Sequence, residues 1–194
     1  MSKPIFLSWT LLSNIREHPC YFVNYSLLGL KMPTNEFIEK GKAAHEQFAL
    51  KIKNKEKLPC DLDFQKAEVH FRKPYNDHFT FHAYLDGVNY KSKSILELKT
   101  VSKRLWTNAD VDKSMQPLYY SYISNFPHVF LLTCKFDLSE PKVYYREYKQ
   151  EDWNRAEKWT LEGIKIIEGI DIRKIQCNGL CPFSADCHIY QKSL

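Results

Sequence analysis

Residues 94–100 read Ser-Ile-Leu-Glu-Leu-Lys-Thr. In an extended chain successive side chains point to opposite faces, so Ile95, Glu97 and Lys99 share one face and Leu96 and Leu98 the other. The leucines suit packing under helices, which would make this strand central and set a carboxylate and an ammonium inside a sheet. Burying such charges is costly unless they pair or bind an ion. A solvated edge strand with a Glu/Lys face is the plain alternative, and the segment alone leaves both open. Upstream, the strand-like run 79–85 leads straight into Asp86-Gly87. A carboxylate at a strand end, a second on a neighbouring strand and a lysine two residues further form a set suited to phosphodiester hydrolysis. Their oxygens are hard ligands for Mg²⁺ or Mn²⁺, which polarise a phosphate and lower the pKa of bound water. The lysine would stabilise transition-state charge or orient the water. Asp-Gly is equally a common hairpin turn, and a turn can also present a ligand.

Three further groups could join this set. His45 stands one helical turn after Gly41, on the face that carries Phe37 and Phe48. It reads either as a core histidine or, with glycine allowing a close approach, as an extra metal ligand. Gln116 and Tyr120 are four apart and share a helix face, offering an amide and a phenol to a nucleic acid or to the lysine. Pro117 between them equally marks a helix N-terminal turn. Lys103, Arg104 and Trp106 follow the Glu-x-Lys strand. They read as a solvated basic loop or as phosphate and base contacts to a DNA strand.

The elements that must position these residues alternate between two periods. Ser8 can cap a helix carrying Trp9, Leu11, Leu12 and Ile15 that ends near His18-Pro19. An aromatic segment 20–28 follows, then a helix over 35–53 with Phe37, Ala44, Phe48 and Ile52 on its apolar face. From 66 to 100 the period becomes two, giving strands at 67–71, 79–85 and 94–100. The spacing predicts a helix over 109–124, strands at 129–136 and 142–148, and a helix over 151–167 with Trp153, Ala156, Trp159, Leu161 and Ile164 inward. The order implies an α/β fold with a central mixed β-sheet flanked by helices.

The 194 residues fit one domain, with 44% hydrophobic and 14% aromatic residues able to build a core. Only six glycines occur, and no glycine-rich phosphate loop is among them. Lys and Arg exceed Asp and Glu by 28 to 23, a net +5 that suits a phosphate backbone without demonstrating one. No run is long and apolar enough to span a membrane, and no secretory leader is legible, so a cytoplasmic protein is expected. In a reducing compartment its six cysteines read as ligands or buried groups rather than disulfides.

In order, Gly41-x-x-x-His45, Asp86 before glycine, Glu97-x-Lys99 and Gln116-x-x-x-Tyr120 resemble the RecB-like branch of the PD-(D/E)XK nuclease superfamily. The serine-led start at Leu7-Ser8-Trp9 and the His18-Pro19-Cys20-Tyr21-Phe22 stretch are similar to that branch too, with Cys20 after the proline rather than before it. The resemblance covers nearly the whole chain. It implies a restriction-endonuclease-like core, metal held by His45, Asp86, Glu97 and the Leu98 carbonyl, and Lys99 as base or electrostatic stabiliser. Gln116 and Tyr120 would be an accessory motif tied to DNA.

Cys177, Cys181 and Cys187 lie in a tail too poor in hydrophobes to form a core, so it needs a staple. With Cys20 they make four thiolates, enough for an iron–sulfur cluster or zinc, where His188 could replace one cysteine. Cys60 and Cys134 are read as unligated, Cys134 as core. The resemblance favours a 4Fe–4S cluster joining the two ends, as in AddB-type helicase-nucleases and CRISPR-associated exonucleases, although the Cys177–Cys181 spacing is one residue longer than usual there. Two units are therefore expected: a nuclease domain over 1–176 and a cysteine-rich tail over 177–194 packing on the N-terminal helices. The function expected is a metal-dependent DNA exonuclease or end-processing enzyme, acting on DNA that is single-stranded or has a single-stranded end. Its setting would be recombination, repair, phage replication or CRISPR adaptation, with proteins of those systems as partners. The alternative is a non-catalytic nucleic-acid-binding subunit with a structural metal.

Overall fold

The computed structural model describes residues 4–31 and 34–171. Cys177, Cys181, Cys187 and His188, and with them the expected tail unit, lie outside the described residues. A six-stranded mixed sheet forms the centre. The chain runs β1 (Ile5–Leu7), α1 (Trp9–Glu17), α2 (Cys20–Phe22), a π-helical turn (Val23–Leu27) and α3 (Glu36–Lys53). It continues through β2 (Lys66–Pro74), β3 (Phe79–Asn89), β4 (Ser94–Val101), α4 (Asn108–Lys113) and α5 (Met115–Ser124). The last elements are β5 (His128–Lys135), β6 (Lys142–Glu147) and α6 (Gln150–Glu168). The expected α/β class and the flanked mixed sheet are what the structure shows.

Two apolar layers cover the sheet. On one face Leu11, Leu12 and Ile15 of α1, Leu118 and Tyr119 of α5 and Ile164 of α6 pack with Phe81, Leu85, Val88 and Ile95. On the other, Phe48 and Ile52 of α3 pack with Leu96, Leu98, Leu132 and Cys134. Leu96 and Leu98 thus face α3 while Ile95 faces the opposite core, the alternation expected of a central strand. The strand is central because β4 pairs in parallel with β5 along its whole length, from Ser94↔His128 to Val101↔Lys135.

Local chemistry explains the helix starts. The Ser8 hydroxyl accepts from the Leu11 N–H at 3.1 Å and opens α1. The Asn35 side chain accepts from Ile38 N–H at 3.0 Å and opens α3, with Glu36 and Glu39 at its positive end and Lys51 and Lys53 at its negative end.

The structure departs from expectation at four places. Asp86-Gly87 is neither a strand end nor a turn: β3 runs on to Asn89, and the turn lies at 90–93. The glycine serves close packing, since a Cβ there would stand 3.1 Å from Leu96 Cβ and 3.2 Å from Ile52 and Phe64. The helix expected over 109–124 is two, broken at Ser114 in extended backbone (φ −80°, ψ 120°). Pro117 would clash inside one continuous helix, and the break makes it part of a first turn. Phe37 is 59% exposed and lies outside the core, on the first turn of α3. β1 is too short for its periodicity to be seen in sequence, and it exists because β3 offers a parallel partner at Phe79–Phe81.

Candidate active site

The site forms where two strands part. β3 and β4 pair only from Asn89↔Ser94 to Gly87↔Leu96. The next rung in that register would set Asp86 opposite Glu97, and the ladder stops there. On its other edge β3 pairs with β2 on either side of Asp86, from Ala67↔Gly87 to Val69↔Leu85, with Glu68 between them in left-handed backbone (φ 54°). Leu85 and Val88, three residues apart, enter the same core. The alternation of β3 therefore breaks at Asp86-Gly87, while the register with β2 is the same on both sides. The irregularity turns the Asp86 carboxylate into the gap.

There the carboxylate does the work of the missing strand. Asp86 Oδ2 accepts the backbone N–H of Leu98 at 2.6 Å, and Oδ1 lies 2.8 Å from His45 Nδ1. The N–H and C=O of one strand residue face the same side, so the Leu98 carbonyl opens on the same gap. α3 delivers His45 from the opposite layer. Gly41 on that helix would carry a Cβ only 3.5 Å from Thr100 Oγ1 of β4, which is how closely the helix approaches the strand. Burial works against a charged imidazole, but the hydrogen bond and charge of Asp86, with Glu97 beyond, outweigh it and hold His45 above its ordinary value.

Glu97 is 4% exposed, and Lys99 Nζ lies 2.7 Å from its Oε1. The i,i+2 spacing on one strand face brings these two together as expected. Burial, and then the nearby Asp86, push the Glu97 carboxyl up to about 7, although Lys99 and His45 pull the other way. Two carboxylates, an imidazole and an ammonium are thus electrostatically one site.

α5 forms a third wall. Gln116 Nε2 donates to the Tyr120 hydroxyl at 2.8 Å, so the expected pair does form. Burial and then the Glu97 charge hold the Tyr120 phenol well above its ordinary value, so it stays a neutral hydroxyl facing the carboxylates. Gln116 Oε1 is buried without a hydrogen-bond partner. The basic segment also makes contacts within the chain. Arg104 is engaged with Asp110 (2.7 and 3.2 Å) at the start of α4, and Trp106 packs with Val111, Leu131 and Tyr144. Lys103 is exposed. Cys20 is buried at the start of α2, Cys134 is core and Cys60 is exposed.

One neighbour escaped the sequence reading. The Lys99 ammonium lies 5.8 Å from the centre of the Trp9 ring, whose buried Nε1 has no hydrogen-bond partner. Trp9 follows the Ser8 cap and reads simply as an apolar helix position. Its use depends on where α1 crosses the sheet, which no local signal records.

Among the described residues no three His, Cys, Asp or Glu side chains stand as a ready-made metal cage. Both Asp86 oxygens are spent on Leu98 and His45, and Glu97 on Lys99. The donor set nevertheless has the chemistry of a hard-cation site, because a buried carboxylate held near a second one calls for positive charge.

No protein-family model matches the chain, and no curated protein does. Its fold is shared with solved structures. SSO0001 aligns over 98% of this chain and 89% of its own at 14% identity, with a TM-score of 0.65. A phage-related exonuclease of Haemophilus somnus 129PT aligns over 81% and 80% at 12% identity and TM-score 0.55. A protein of Eubacterium rectale, named for an inferred exonuclease activity, aligns over 91% and 85% at 10% identity and TM-score 0.54. At these identities the likeness is one of fold.

Proposed function

We propose that this chain is a divalent-metal-dependent DNA nuclease of the exonuclease or end-processing kind, within the RecB-like PD-(D/E)XK group. The observation that carries the reading is the parting of β3 and β4, where Asp86, Glu97, Lys99 and His45 converge from two strands and a helix. The exonuclease names of two structural neighbours agree with it.

Asp86, Glu97, His45 and the Leu98 carbonyl would hold Mg²⁺ or Mn²⁺, which supplies Lewis-acid polarisation of the phosphate and a nucleophilic water at neutral pH. The chain's own groups do the rest. Glu97 keeps the Lys99 ammonium at the mouth of the gap, where its charge offsets that developing on the phosphate. Gln116 and Tyr120 would offer neutral donors to the substrate, and Lys103, which is exposed, would meet a backbone phosphate. Recombination, repair, phage or CRISPR-adaptation systems are the settings such chemistry serves. Cys20 would join Cys177, Cys181 and Cys187 in a 4Fe–4S cluster, with zinc as the alternative metal.

Asp86→Ala, Glu97→Ala and Lys99→Ala should each lower Mn²⁺-dependent DNA cleavage by about 100-fold or more. Mn²⁺ should raise the Tm of the wild type but not of Asp86→Ala or Glu97→Ala. Three variants that cut as fast as the wild type would overturn the assignment. DNA bound by the wild type but never cut would leave a non-catalytic binding module instead.

A further inference from the structure

Beside the carboxylate gap lies a cleft of about 380 Å³ lined by rings: Phe6, Trp9, Tyr21, Tyr25, His82, Tyr84 and Tyr120, with Ser8, Thr10 and Ala83 between them. Two of these rings belong to the site already described. The Trp9 ring stands 5.8 Å from the Lys99 ammonium, and Tyr120 feels the charges of Glu97 and Asp86. The cleft therefore shares two of its walls, Trp9 and Tyr120, with that site.

Its outer rings are both exposed and held. Tyr84 is 60% exposed yet stacks on His70 with centroids 4.1 Å apart and an interplanar angle of 10°. Tyr25 is 46% exposed and stacks on Tyr21 at 5.6 Å. Phe6 is 42% exposed and tilts against His82 at 5.8 Å. Exposed aromatic rings on the outside of a sheet are an unfavourable use of apolar surface unless something covers them. Tyr84 and Tyr25 are each backed by a stacked ring while keeping much of their own surface in solvent, and Phe6 is held between His82 and the Arg72 guanidinium. No side chain lining the cleft is acidic. Cations stand at its two ends: Lys99 at the inner one, and the Arg72 guanidinium 5.1 Å over the Phe6 ring at the outer. Burial, with His70 and Arg72 adding positive charge, pushes His82 down to about 4, so it is a neutral flat ring at physiological pH.

Flat open rings, no negative charge and flanking cations match one occupant. Bases stack on aromatic faces while the backbone phosphates meet the cations, and only an unpaired strand has free base faces to offer. We infer that this cleft is a base-stacking subsite for single-stranded DNA, with Tyr84 and Tyr25 as its platforms and the strand leading inward past Trp9 to the carboxylates. The inference deepens the nuclease reading of the same site and rests on it for the identity of the strand.

The test measures binding, which requires no cleavage. The full chain in EDTA is titrated with a fluorescent single-stranded oligonucleotide and with its duplex, for the wild type, Tyr84→Ala, Tyr25→Ala and the double variant. Both tyrosines are exposed, so their removal leaves the fold in place, which circular dichroism checks. Each single variant should weaken single-strand binding about tenfold and leave duplex binding unchanged. The salt dependence should stay as in the wild type for the tyrosine variants and become shallower for Arg72→Ala, because a ring carries no counterion release. Single-strand binding equal to the wild type in the double variant, or wild-type affinity no higher for the single strand than for the duplex, overturns the subsite. The two readings fail separately. Loss of binding in Tyr84→Ala with a wild type that never cuts DNA keeps the cleft and removes the nuclease. Wild-type cutting with an unchanged single-strand KM in the double variant removes the cleft and keeps the nuclease.

Discussion

Glu97 is a carboxylate buried to 4% exposure, and its titration reports on the site. A carboxyl held near 7 when folded and near 4.5 when unfolded binds its proton more tightly in the folded state. Stability contributed by the protonated form is therefore present below about 4.5 and lost as the pH rises through about 7. His45 runs in the same direction: its raised value adds stability below its ordinary 6.5 that fades as the pH climbs through the folded value. In EDTA, the wild type should lose stability relative to Glu97→Gln over this window, by on the order of 3 kcal/mol at most. Thermal melts of both proteins across the window measure it. Parallel pH curves for the two would mean that Glu97 does not sit in the buried, carboxylate-flanked position described.

At the scale of elements, the site depends on a defect in the sheet. The β3–β4 ladder ends at Gly87↔Leu96, and Asp86 then satisfies the Leu98 N–H that lost its strand partner. Gly87 holds this arrangement together because it has no side chain to push Leu96, Ile52 and Phe64 apart. Gly87→Ala should cost about 1–3 kcal/mol by overpacking. It should also reduce cleavage, since the forced shift falls on the residue next to Asp86. Denaturant melts and rates on the same preparations check both. A fully stable and fully active Gly87→Ala would show that β4 and α3 do not close on this strand as tightly as described. The break between α4 and α5 matters in the same way: it starts a new helix at Met115, on which Gln116 holds Tyr120 within the field of Glu97.

For the molecule as a whole, the sheet carries α1, α5 and α6 on one face and α3 on the other, and the site needs both layers. Cys20 lies buried at the start of α2, directly after α1. If it shares a cluster with Cys177, Cys181 and Cys187, protein purified anaerobically should be brown and contain iron and acid-labile sulfide. Cys20→Ser should then lose the colour and lower the Tm, since ligand binding to the folded state stabilises it. Colourless protein with one zinc per chain would assign the thiolates to zinc instead.

Much of this was legible in the linear chain because it depends on neighbours in sequence. Alternation placed Leu96 and Leu98 against one layer and Ile95 against the other, and it brought Glu97 to Lys99. Helical spacing paired Gln116 with Tyr120, and the Ser8 and Asn35 side chains marked two helix starts. Such relations need only the periods of strand and helix. The resemblance of the ordered motifs to a nuclease family pointed to Asp86 and His45 without saying how they meet. Tertiary structure decided that. It placed Asp86 inside a strand rather than at a turn, put the end of a ladder opposite Glu97, and brought Trp9 to Lys99 across the sheet. It also set Arg104 beside Asp110 and Trp106 against Val111, Leu131 and Tyr144. These outcomes follow from where strand pairing stops and where helices cross, and both are set by contacts between residues far apart in the chain.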